Sequence, residues 1–230
     1  MTSGIFQPGS RRDFVKAAAV GGVALALPSL LESCKLGEGI TTITGGGQGN
    51  PLVFDFNKGD TAFLQFTYCY KQLQADMYAQ AMAKFSTSGF TSAEQALLTD
   101  IHAHHVVHRD TLKGVLGTAN DFTISPLWSG TNFNDHGGVL PLAISFEDVS
   151  IGMFNGIPQH LLAPANIAFL LEIVSVDGRH SAALRDDDLP NSSIFTPASQ
   201  DASYAPSQVA GAIQPYLNDM LQFANAPSGI

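Results

Sequence analysis

The chain has 230 residues, 45% of them hydrophobic and 13% charged, and its 11 basic and 20 acidic residues give a formal charge of -9. That apolar content excludes a disordered chain and suffices for one domain of ordinary size, while the acidic balance argues against a nucleic-acid partner. The 2 cysteines exclude a disulfide-rich scaffold and a four-cysteine zinc site, and no run of 18 apolar residues offers an ordinary transmembrane helix.

The N-terminus reads as an address. Ser10-Arg11-Arg12-Asp13-Phe14-Val15-Lys16 matches the twin-arginine export pattern, and the apolar stretch from Ala17 to Leu31, broken by Pro28, suits the h-region of a signal peptide. Two cleavage positions compete. Leu31-Glu32-Ser33-Cys34 resembles a lipobox, with Glu32 as an unusual member, whereas Ala24-Leu25-Ala26 would serve an ordinary signal peptidase. The expectation is a signal over residues 1–33, export by the twin-arginine route, and a periplasmic protein or a lipoprotein held to the membrane through Cys34.

Residues 34–55 are rich in Gly and Thr and read as a flexible linker. Gly45-Gly46-Gly47-Gln48-Gly49 lacks the Gly-Lys-Ser/Thr ending of a phosphate loop. From Asp60, a candidate cap, the spacing predicts a helix to about Phe85. Thr91-Ser92-Ala93-Glu94 is a capping box and opens a second helix that ends near Gly117. Residues 118–137 are polar and turn-rich. A third helix is predicted from about Val139 to Leu161, and Pro164 suits the first turn of a fourth running to about Arg185. The tail, 188–230, carries a short amphipathic helix from about Pro206 to Ala224.

Short connections at 86–90 and 162–164 pair the helices antiparallel, and one connection of about 20 residues joins the pairs, a length that needs a structural reason. A ferritin-like up-down four-helix bundle over 56–187, with its long crossover between the second and third helices, supplies that reason.

Ionisable residues interrupt the apolar stripes. Ile101, His105, His108, Leu112 and Val115 share a face of the second helix; Leu140, Ile144, Glu147, Ile151 and Phe154 share one of the third; Leu170, Val174, Asp177 and Leu184 form the stripe of the fourth, with His180 one turn after Asp177. A lone buried carboxylate costs several kcal/mol unless it is paired, hydrogen-bonded or metal-bound. His105-x-x-His108 and Asp177-x-x-His180 place two side chains on one helix face, as the Glu-x-x-His pairs of di-metal carboxylate bundles do.

Gln72-Leu73-Gln74-Ala75-Asp76-Met77-Tyr78, His104-His105-Val106-Val107-His108-Arg109, Phe146-Glu147-Asp148-Val149, Asn155-Gly156 and the segment from Val174 to Ala183 resemble the bacterial ferritin-like domain family that includes desiccation-related proteins. The resemblance covers roughly residues 56–187 and implies a four-helix bundle with a di-iron or di-manganese type site. It matches residue for residue only at His108, Glu147 and His180. Lys71 stands at the first-helix glutamate, His105 at the second-helix glutamate, and Asp177 at the fourth-helix glutamate. Two divalent ions with a charged Lys71 would leave about +3 buried against two carboxylates, whereas one ion leaves about +1. The expected site is therefore degenerate: His105, His108, Glu147, Asp177 and His180 hold at most one divalent transition metal (iron, manganese or zinc), or an ion-pair network without metal.

The remaining residues read more plainly. His104 and Arg109 are expected off the stripe and solvated; His102, His136 and His160 on the surface or in loops; Cys69 as a buried thiol; and Tyr68, Tyr70 and Tyr78 in the core, with Tyr78 able to hydrogen-bond a site carboxylate. Asp186, Asp187 and Asp188 read as a solvated helix end. Two functions follow: a structural, stress-protective or partner-binding protein, alone, as a homo-oligomer or beside a related ferritin-like subunit, or a metal-dependent redox or peroxide-handling enzyme.

Overall fold

The computed structural model describes residues 41–42, 49–188 and 195–226. The export signal with Arg11 and Arg12, and the lipobox with Cys34, lie outside the described residues.

Four long helices dominate: α1 (Asp60–Met82), α2 (Ser92–Leu116), α3 (His136–Gly156) and α4 (Pro164–Asp188), followed by a short α5 (Pro206–Ile213). Local chemistry sets their ends. Gly59, at φ 57, turns the chain into α1. Asp60 is the first residue of α1, and its carboxylate accepts from Leu162 N, Ala163 N and the Asn166 amide, so it fastens the start of α4 and not its own helix. The capping box of α2 is present in both directions, between Thr91 and Glu94. α3 begins three residues earlier than expected because the Asp135 side chain caps it at Gly137 N, and it tightens into a 3-10 turn over Ile157–His160. Together these form a helix long and apolar enough to cross a membrane on length and composition alone, yet more than half of its most apolar window is buried in this fold.

The linker and the tail differ from the sequence reading. Pro51–Asp55 (β2) is a strand, and the tail helix stops at Ile213, giving way to a 3-10 turn at Gln214–Tyr216 and a strand at Met220–Ala224 (β3). β3 pairs in parallel with β2 and antiparallel with Thr41–Thr42 (β1), in the order β1-β3-β2. Their alternation buries Phe54, Leu221 and Phe223, which pack on Phe56, Phe63 and Phe66 and close one end of the bundle.

The long crossover is pinned down along its length. Ile124 and Phe133 are buried, Pro126 bridges to Leu217, and the Trp128 indole donates to Asp76 Oδ2 at 2.6 Å. The tail crosses α3 where Gly152 and Gly156 leave room: a Cβ on Gly152 would collide with one edge of the Tyr204 ring, and one on Gly156 would collide with the Tyr204 backbone. Val115, expected on the inner stripe of α2, is instead 50% exposed, because the stripe steps from Leu112 to the buried Leu116 and leaves Val115 about 100° off it.

Candidate metal centre

Each long helix contributes a polar pair at positions i and i+3: Lys71 and Gln74 from α1, His105 and His108 from α2, Glu147 and Ser150 from α3, Asp177 and His180 from α4. That spacing sets both members on one face, and the surrounding aliphatic residues turn the face inward. All are buried except His108, whose side chain is 12% exposed at the rim.

Lys71 organises one half of the cluster. Its ammonium donates to Asp177 Oδ2 at 2.6 Å and to Ser150 Oγ at 3.1 Å, and it faces His105 Nδ1 at 3.3 Å. Three N–H groups meet three acceptors. The Ser150 hydroxyl donates to the same Asp177 oxygen at 2.7 Å. Because His105 Nδ1 faces an ammonium, it is the accepting nitrogen. Nε2 then carries the proton and donates to Glu147 Oε1 at 2.7 Å. The Tyr78 hydroxyl donates to that oxygen too, at 2.7 Å, fulfilling the hydrogen bond anticipated for this tyrosine.

Protonation follows from this wiring. Burial pushes His105 below the ordinary imidazole range, against the pull of Glu147 and with help from Lys71. Burial alone would lift the Glu147 carboxyl, but contact with His105, then His180, holds it well below its usual range. A neutral His105 that donates a hydrogen bond satisfies both directions at once. Burial, then the charge of Lys71, pushes His108 down to about 3, so near neutral pH its ring is uncharged and carries a lone pair.

The other half of the cluster has no internal partners. Glu147 Oε2, Asp177 Oδ1, His180 Nδ1 and His108 Nδ1 are buried and make no hydrogen bond. Such atoms cost about 1–3 kcal/mol each when left unpaired. They also converge: His180 Nδ1 is 3.5 Å from Glu147 Oε2 and 3.8 Å from Asp177 Oδ1, and His108 Nδ1 is 3.6 Å from Asp177 Oδ1. Ligands about 2.0–2.2 Å from a divalent ion in a tetrahedral shell stand about 3.3–3.6 Å from one another. The observed separations are close to the edges of such a shell.

His105, Glu147, Asp177 and His180 each offer a ligand atom within 4.8 Å of the others. Both ring nitrogens of His105 are engaged, however, whereas His108 lies farther out, reaches the group through Asp177 and keeps its lone pair. The cluster could therefore hold one ion through Glu147, Asp177 and His180, with His108 within reach of Asp177. It does not fit two, because Lys71 holds the other side of Asp177 and the charge excess found from the sequence persists.

Other residues fall into place around this cluster. His104 is exposed, as expected, but it is not merely solvated: its Nδ1 lies 2.8 Å from His180 Nε2. Arg109 pairs with its neighbour Asp110 at 2.8 Å. His136 opens α3 and pairs with Glu94 at 2.6 Å, and His160 stacks on Phe63. Cys69 is a buried free thiol. Asp148 is not a free surface charge, since Arg185 and Ser181 both reach it. Ser150 and Gln74 escaped sequence reasoning, although each sits three residues after a recognised site position. Nothing local marks His104.

Four helices in antiparallel pairs, a long crossover between the second and third, and a His/carboxylate cluster at mid-bundle define the ferritin-like class. A family model described as a ferritin-like domain matches residues 59–187, more than half of the chain, and the chain belongs to that family. No curated protein matches the sequence.

Proposed function

We propose that this is an exported ferritin-like protein that holds one divalent transition ion in place of a coupled pair, and that its role is structural, stress-protective or partner-binding. The observation that carries this reading is the division of the core: four convergent donor atoms without partners on one side of Asp177, and an ammonium at 2.6 Å on the other. Two imidazoles and two carboxylates suit iron, manganese or zinc. A bound ion would tie α2, α3 and α4 together and offset the buried carboxylate charge, so it stabilises the fold by mass action. The resemblance to desiccation-related proteins supports a protective role. Arg11, Arg12 and Cys34 support export and a lipid anchor, and a homo-oligomer or a related ferritin-like subunit is the partner consistent with that family.

A second reading, peroxide or redox chemistry at a single iron or manganese ion, is favoured by one feature. His108 keeps 12% of its side chain exposed, which leaves the centre a solvent side.

Metal analysis of protein recovered from the exported fraction, followed by calorimetric titration of the metal-free form, tests the main reading. At most one tight ion per chain is expected. Two tight ions per chain would overturn it. The address is tested separately: Arg11→Lys with Arg12→Lys should strand the precursor in the cytoplasm, and Cys34→Ala should release the protein from membranes. Normal export, or unchanged fractionation, would refute the respective assignment.

A further inference from the structure

We infer that His104 is a positioning residue for the metal centre, holding His180 in the one tautomer that can bind an ion. The inference rests on the single-ion reading above and concerns a residue outside the inward stripe. His104 lies on the exposed side of α2, one residue before His105. Its Nδ1 is 2.8 Å from His180 Nε2. The two rings are nearly coplanar, 11° apart, with centroids separated by 5.1 Å. That separation equals the nitrogen–nitrogen distance plus one ring radius at each end. The rings therefore meet edge to edge, with proton and lone pair in line, which is the arrangement of a strong N–H···N hydrogen bond.

The consequence lies at the other nitrogen of His180. A neutral imidazole has one N–H, and the hydrogen bond made by one nitrogen decides which carries it. His180 Nδ1 points at Glu147 Oε2 and Asp177 Oδ1 from 3.5 and 3.8 Å, without hydrogen-bonding geometry. Left alone, His180 would be drawn to place its proton on Nδ1, between the two carboxylates, where it blocks an ion. His104, exposed on its outer side, can carry its proton on Nε2, donate that N–H to solvent and present Nδ1 as an acceptor. His180 Nε2 then keeps the proton and donates outward, and Nδ1 keeps its lone pair toward the centre. Second-sphere partners of this kind commonly change metal affinity by about 10–100-fold.

The test uses His104→Phe and His104→Asn in the whole chain. Asn places its Oδ1 where His places Nδ1, so it preserves the acceptor, whereas Phe removes it. Affinity is read by chelator competition with zinc and manganese, and the His180 tautomer by nitrogen-15 NMR of the metal-free protein. The expected result is binding about 10–100-fold weaker in the Phe variant, near parental in the Asn variant, and a His180 ring fixed as Nε2–H in the parent but mixed in the Phe variant. Equal affinity in parent and Phe variant would overturn the role of His104 while leaving the single-ion site intact. A parent that binds neither metal would defeat the site itself, and the tautomer measurement would still decide whether His104 fixes His180. An unchanged tautomer in the Phe variant overturns the inference on its own.

Discussion

Lys71→Met tests the electrostatic logic of the core. Methionine keeps the length of the side chain and deletes the ammonium. In the metal-free protein Asp177 would lose its 2.6 Å partner at a position with no solvent exposure. Breaking a buried pair in this way costs about 3–5 kcal/mol. An ion bound at Asp177 Oδ1 lies across the same carboxylate from Lys71, roughly 5 Å from the ammonium. At an effective dielectric near 20, a single positive charge at that distance opposes a divalent ion by about 7 kcal/mol. Part of this is lost again, because the metal-free variant rearranges to shield a carboxylate left without its cation, and binding must reverse that rearrangement. A net gain of about 3 kcal/mol, or roughly 100-fold in affinity, remains. Chelator competition measures the affinity, and thermal melts with and without zinc measure the coupling. The variant should melt well below the parent when metal-free and recover far more on adding zinc. Equal affinities in the two proteins would show that the ammonium does not oppose the ion, and the reasoning would fail.

Glu147→Ala should destabilise the metal-free protein by about 3–5 kcal/mol, since it strips a buried network of the acceptor shared by His105 and Tyr78. Asp148→Ala should cost about 1–2 kcal/mol, because its half-buried pair with Arg185 is lost; urea midpoints that fall equally would count against the register of α3. Acid should weaken the metal-free fold: with burial holding His108 at about 3 against an unfolded value near 6.5, the unfolded chain takes up the proton first. That stability is whole above about pH 6.5 and drains between pH 6.5 and 3, and the depressed His105 and Glu147 act in the same sense. A urea midpoint that held steady from pH 7 to pH 4 would contradict this.

The bundle was legible because its signals are local: the Thr91–Glu94 box, Pro164 at the first turn of α4, and apolar residues at spacings of three and four. The sheet was not, because β2 and β3 pair across most of the chain length and each is only 5 residues long. Leu217, Leu221 and Ala224 mimic a helical face, although Pro215 already breaks a helix at that point; the strand uses the alternation Leu221 and Phe223 instead. The site was legible for an energetic reason. Mid-helix ionisable residues among aliphatics demand a shared partner, and Lys71, His105, Glu147, Asp177 and His180 do converge. What stayed hidden depends on side-chain meetings across helices. Asp148 finds Arg185, and His104 finds His180, at sequence separations of 37 and 76 residues. His104 lies off the inward stripe, so no periodicity argument could reach it. Burial identifies the groups that must be neutralised, and only geometry identifies the exposed group that meets one of them at hydrogen-bonding distance. On the single-ion reading we propose, the two act in sequence: Lys71 would remove the place for a second ion, and the His104–His180 hydrogen bond would keep open the place for the first.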